Sequence, residues 1–208
     1  MKLISLGLQC SVPRGIYLAN MRSCSYPVDW LWSPSKTTYN ILSMLIENGV
    51  EKALEYMTSE YTYYKYLGNE RYISVNYNTK SQMNANTGLG NTHYIIDNEY
   101  ESKVKRRLTR LLNDVKSNEN IVFIYADAAN PDANYYLDDI EYGLDATEYL
   151  LKIHDLIYPI NNNIKILYFC WNERKKENGI IEYIPFDFVH GWFDVSEIIK
   201  DHLTRFSI

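Results

Sequence analysis

Cys10 is the residue best placed for chemistry. The apolar run Leu3-Ile4-Ser5-Leu6 predicts a short buried strand, Gly7 breaks it, and Cys10 follows three residues later where a helix begins. Ser11 reads as the N-cap of that helix and Pro13 suits its first turn. Val12, Ile16 and Leu18/Ala19 give it an apolar face ending near Asn20. A thiol at a helix N-terminus meets unpaired N–H groups and the positive end of the helix dipole. Both favour the thiolate, the nucleophilic form. The N–H groups of Cys10 and Ser11 would also hold an oxyanion. Against this stands the plainer reading of Cys10 as a small buried apolar residue.

A nucleophilic thiol needs a base and something to orient it. His93 stands at the end of a polar, glycine-containing stretch, 79–91, ahead of Tyr94-Ile95-Ile96, and is the first candidate base. His190, in a predicted turn before the last helix, is the alternate. Asp29 lies between Val28 and two tryptophans. A carboxylate in such company is paired, because burying it alone is costly. It either caps a helix, pairs with Arg14 or Arg22, or orients a catalytic histidine. Asp127 ends the apolar run 120–125 and is the substitute acid, since ligands of open α/β sheets collect at the carboxyl ends of strands. The plain reading of Asp127 is a loop cap.

The stretch 99–117 is the most regular helix of the chain, with Val104, Leu108, Leu111, Leu112 and Val115 at helical spacing. Lys103, Lys105, Arg106, Arg107 and Arg110 occupy its remaining face. Such a face is ordinarily solvated surface. Its functional alternative is a site for an acidic or phosphorylated ligand around Arg106, Arg107 and Arg110.

The elements that must carry these residues follow from periodicity. The runs 120–125 and 164–171 are continuously apolar, as buried parallel strands are, and each is preceded by a predicted helix, 99–117 and 146–158. With the first strand they predict an α/β fold: a layered sheet with a parallel core and helices on both faces. Helices are also expected at 35–48 and 50–56, packed as a pair against the Cys10 helix. Alternation in 61–77 predicts a strand and 79–91 a loop. The whole reads as one domain, 1–208, with a helical and aromatic excursion at about 33–90.

Composition narrows the function. A net charge of −5 argues against nonspecific nucleic-acid binding. Three scattered cysteines form no disulfide framework, and no Cys/His spacing fits zinc. The acids Asp132, Asp138, Asp139 and Glu141 do not fit a calcium loop, and the Gly-Leu-Gly at 88–90 lacks the strand and helix of a dinucleotide site. No cofactor or metal is therefore expected. No apolar run approaches the roughly 18 residues of a membrane helix, and no signal peptide is evident, so a cytoplasmic setting is the simplest expectation.

The segments Ser5-Leu6-Gly7-x-x-Cys10 and Arg22-Ser23-x-Ser25-Tyr26-Pro27-Val28-Asp29-Trp30 resemble the signature of the DUF1796 family, whose proposed activity is that of a papain-like cysteine peptidase. Val28 stands where the family usually has Phe. His93, and Lys103-x-x-Arg106-Arg107-x-x-Arg110 after it, are similar to the family's histidine and basic helix, with Leu111 in place of Phe. The resemblance implies a Cys10–His93 pair with Asp29 as orienting acid, a peptide or amide substrate, and a papain-like fold as the alternative to the layered sheet. Two functions remain open: a cysteine-dependent hydrolase or acyltransferase, and a noncatalytic α/β module holding a phosphorylated or acidic small ligand.

Overall fold

The computed structural model describes residues 1–8, 10–58, 98–127, 145–187, 189 and 192–205, together with the backbone of five short strands between 61 and 91. The first elements are β1 (Lys2–Ser5), α1 (Ser11–Leu18), β2 (Leu31–Trp32), α2 (Ser35–Asn48) and α3 (Val50–Thr58). Five short strands follow: β3 (Tyr61–Tyr63), β4 (Tyr66–Leu67), β5 (Glu70–Ile73), β6 (Gln82–Asn84) and β7 (Gly90–Asn91). The rest comprises α4 (Asn98–Lys116), β8 (Ile121–Ala126), α5 (Thr147–Ile157), β9 (Ile164–Trp171), β10 (Ile181–Phe186) and α6 (Trp192–Arg205).

β1, β8, β9 and β10 form one sheet in that order, parallel at every pairing. Because strand side chains alternate between faces, the apolar runs divide into two cores. Ile4, Phe123, Tyr125, Ile166 and Tyr168 point to the layer of α2, α3, α4 and α5. Leu3, Val122, Ile124, Leu167 and Phe169 point to α1 and α6. All six residues of β8 are buried, which is why its sequence shows no polar alternation. The layered expectation thus describes this chain, and the mainly antiparallel sheet of the papain-like alternative does not.

Three expectations change. α2 and α3 share a core with α4 and α5, across the sheet from α1, because their apolar positions (Ile41, Leu42, Leu45, Ala53, Met57) join the other cluster. The predicted strand 61–77 breaks into β3, β4 and β5, and the predicted loop 79–91 contains β6 and β7. These short strands form an antiparallel set, β2-β7-β6-β3, and a separate β4-β5 hairpin. Their pairing rests on backbone hydrogen bonds between polar residues, which hydrophobic periodicity does not register. The last helix begins at Trp192, so Asp194 and Ser196 lie within its first turns and do not cap it.

α1 and α6 approach so closely that a Cβ on Gly15 would lie 2.6 Å from Ile199 Cγ2 and 2.9 Å from the Ser196 carbonyl oxygen. Gly15→Ala is expected to destabilise the fold in urea titrations. The overpacking cost of about 1–3 kcal/mol exceeds the gain in helix propensity of about 1 kcal/mol. In the double variant with Ile199→Ala the two losses should be less than additive. A stabilised Gly15→Ala protein would contradict this packing.

Candidate active site

The turn out of β1 is held in an unfavourable shape. Gly7 has φ +97° and Leu8, a buried non-glycine residue, has φ +68°. A left-handed leucine costs roughly 1–2 kcal/mol and persists only where its surroundings enforce it. Leu6 N–H donates to the Ile124 carbonyl at 2.9 Å and Leu8 N–H to the Ser33 carbonyl at 3.0 Å. The Thr38 hydroxyl donates to the Leu6 carbonyl at 2.7 Å. Its only hydrogen is then used, so the Ser33 hydroxyl, 2.7 Å away, donates to Thr38. A Cβ at residue 7 would meet Ser33 Cβ at 2.7 Å, so space and backbone geometry both require glycine.

This clamp delivers Cys10 to the carboxyl edge of the sheet, at the N-terminus of α1. Cys10 itself is the N-cap, with its carbonyl accepting from Arg14 N–H at 3.2 Å. Ser11, expected as the cap, is the first helical residue; its buried hydroxyl has no hydrogen-bond partner. The Cys10 thiol is half-buried, and burial pushes it up to about 11. A hydrogen bond from its own backbone lowers it and the Asp29 charge raises it. Desolvation therefore outweighs the short helix, and the thiol is neutral near pH 7 unless a base takes its proton.

Asp29 is buried and Oδ2 accepts from Tyr26 N–H at 2.9 Å and from Arg22 Nη2 at 3.0 Å. Burial raises its carboxyl, opposed by the Tyr26 amide and the charges of Arg22 and Arg107. Of the predicted partners Arg22 is the one engaged; Arg14 lies over the Phe193 ring at 4.6 Å. Arg22 also donates to Ser25 Oγ at 2.8 Å and to the Cys24 carbonyl at 3.3 Å. Asp29 and Arg22 thus fold the 22–29 block on itself.

Asp127, at the end of β8, uses both oxygens. Oδ1 accepts from the Tyr168 hydroxyl at 2.7 Å and Arg174 Nη1 at 2.9 Å, and Oδ2 from Trp171 N–H at 3.0 Å. Burial raises it to about 6 against the pull of Arg174, Tyr168 and the Trp171 amide. Because β1 and β8 are neighbours, Asp127 and Cys10 share the carboxyl edge, but Asp127 is committed to β9 and the turn after it.

Two of the four histidines lie away from that edge. His154, in the last turn of α5, stacks on Tyr158 with ring centroids 4.9 Å apart. His202, in the last turn of α6, sits 3.8 Å from Glu182, the second residue of β10. His93 and His190 lie outside the described residues, as do the acids at 132–141. Their nearest described neighbours flank the Cys10 turn. Asn91, two residues before His93, pairs with Leu31, and that strand runs into Ser33 of the clamp. Phe193, three residues after His190, covers Arg14 in α1.

Lys103, Arg106, Arg107 and Arg110 face Ser23, Cys24 and Ser25 across an open cleft of about 460 Å³. Among the described residues no group of three or more His, Cys, Asp or Glu could hold a metal ion, and no helix is long and apolar enough to cross a membrane.

The family model of DUF1796, described as a putative papain-like cysteine peptidase, matches residues 1–159. The chain belongs to the DUF1796 family. No curated protein and no solved structure matches it. The DUF1796 match contains Cys10, Asp29, His93, Arg106, Arg107 and Asp127, and stops short of His190. Three elements of the site escaped sequence reading: the Ser33–Thr38 hydroxyl relay, Arg174 as the partner of Asp127, and Cys24 in the basic cleft. Ser33-Pro34-Ser35 signalled only a helix start. Arg174 lies within a charged run, Glu173–Glu177, whose individual members nothing distinguishes.

Asp127→Ala is expected to lose about 3–5 kcal/mol in urea titrations, since Arg174, Tyr168 and an amide lose their buried acceptor. Folding raises the Asp127 carboxyl, so its stabilising contribution is complete below about pH 4 and is lost as pH rises through about 6. The stability of the wild type relative to Asp127→Asn should therefore fall between pH 4 and pH 7; a flat difference would contradict the raised carboxyl.

Proposed function

We propose that the protein is a cysteine-dependent hydrolase or acyltransferase acting on peptide or amide-type bonds, with Cys10 as nucleophile and His93 as general base. The observation that carries this reading is the clamped, left-handed turn that holds a half-exposed Cys10 as the N-cap of α1 at the sheet's carboxyl edge. A conformation this costly is commonly kept where it aims a reacting group. His93 is preferred to His190 because it falls within the family match and follows a strand paired to the residues of the clamp.

In this mechanism His93 takes the thiol proton as sulfur attacks the carbonyl carbon. The N–H groups of Cys10 and Ser11 hold the developing oxyanion, and the imidazolium returns the proton to the leaving amine. Water, or another acceptor, then resolves the thioester. Asp29 acts as a positioning residue. Its oxygen shared by Arg22 and Tyr26 N–H fixes the chain entering β2, the strand against which β7 leads toward His93.

The test is the pH dependence of Cys10 alkylation by iodoacetamide, followed at that site by mass spectrometry. With His93 as its base, Cys10 should react at a nearly constant rate above about pH 7. In His93→Ala the rate should fall near neutrality and climb about tenfold per pH unit toward 11, as thiolate fraction dictates. His190→Ala should follow the wild type, and Cys10→Ala should abolish hydrolysis. A wild type that already climbs tenfold per unit, unchanged by His93→Ala, would sink the pairing.

A further inference from the structure

The four cations of the cleft stand on one face of α4 at spacings of three and four residues: Lys103 with Arg106 and Arg107, Arg106 with Arg110, and Arg107 with Arg110. Like charges so spaced repel. Lys103 has Glu99 at 2.5 Å and Arg110 donates to the Ser25 carbonyl at 2.6 Å. Arg106 and Arg107 have no carboxylate within ion-pair distance among the described residues, and no acidic side chain lines the cleft. The nearest candidate, Asp29, is already held by Arg22. In a chain of net charge −5 this is a local field of the opposite sign, left without its counterion.

The opposite wall supplies hydroxyls. Ser25 Oγ accepts from Arg22, which leaves its own hydrogen to be donated elsewhere. Guanidinium forks match the paired oxygens of a phosphoryl group, and a group with three terminal oxygens can use all of these donors. The volume is that of a small-molecule site and exceeds what a lone inorganic ion fills.

We propose that this cleft binds the phosphoryl group of a small phosphorylated molecule, held by Arg106, Arg107 and Arg110 with the Ser23 and Ser25 hydroxyls. The site is independent of whether Cys10 is a nucleophile.

Cys24, which lines the cleft, reports occupancy. Its alkylation by iodoacetamide is measured in the full chain with inorganic phosphate, phenyl phosphate, or sodium chloride at matched ionic strength. Both phosphates should slow Cys24 roughly fivefold or more at millimolar concentration relative to chloride. A stronger effect of phenyl phosphate marks an organic ligand, and equal effects mark the phosphoryl group alone as what is recognised. Protection should persist in Cys10→Ala and disappear in Arg106→Ala/Arg107→Ala, with the fold of each checked by circular dichroism. Chloride protecting as well as the phosphates in the wild type would overturn the proposal without any variant. So would protection that survives loss of both arginines in a folded protein.

Discussion

The first β-to-α connection has almost no room, and much of the molecule is arranged around that restriction. Leu8 reaches the Ser33 carbonyl only because residue 7 lacks a Cβ and both residues adopt positive φ. The cost is offset by hydrogen bonds drawn from three places: β8, the chain before α2, and α2 itself. The turn therefore cannot relax without loosening the sheet from the helical layer. Cys10 inherits this rigidity. Its sulfur is placed by the backbone and not by a neighbouring side chain.

Buried carboxylates perform the corresponding task between sequence-distant segments. Asp114 of α4 receives Lys2 Nζ at 2.7 Å and the Tyr26 hydroxyl at 2.8 Å, joining α4 to β1 and to the 22–29 block. Asp29 closes that block internally, and Asp127 ties β8 to the end of β9. Each acid is compensated by several donors, as burial of charge demands. None of the three has an imidazole among its described partners. The chemistry proposed for Cys10 consequently rests on the thiol and a base, with the acids acting through the scaffold.

The sheet was readable from sequence because fully buried parallel strands leave continuous apolar runs, and 164–171 matched β9 residue for residue. Helix α4 was equally plain, since its apolar stripe and basic face have helical period. The short strands between 61 and 91 were not, because polar backbone pairing leaves no such trace. The position of Cys10 was legible from Gly7 and the following helix, but its raised thiol was not. Burial of the sulfur depends on how α1 lies against the sheet, and that is a three-dimensional property. Likewise the pairing of Asp29 with Arg22 was among the readings offered, whereas the placement of α2 and α3 across the sheet required knowing which face each apolar stripe meets.

The boundary of the recognisable family sequence falls at residue 159, between α5 and β9. That point is not a seam in the fold. Beyond it lie the two strands that continue the sheet past β8, the donors Tyr168, Trp171 and Arg174 that Asp127 requires, and the helix against which Gly15 is pressed. A fragment cut there would present a raw sheet edge and a stripped helix to solvent. The architecture thus draws a longer inheritable unit than the matched motifs delimit, one in which the later strands and last helix can drift in sequence while remaining mechanically indispensable.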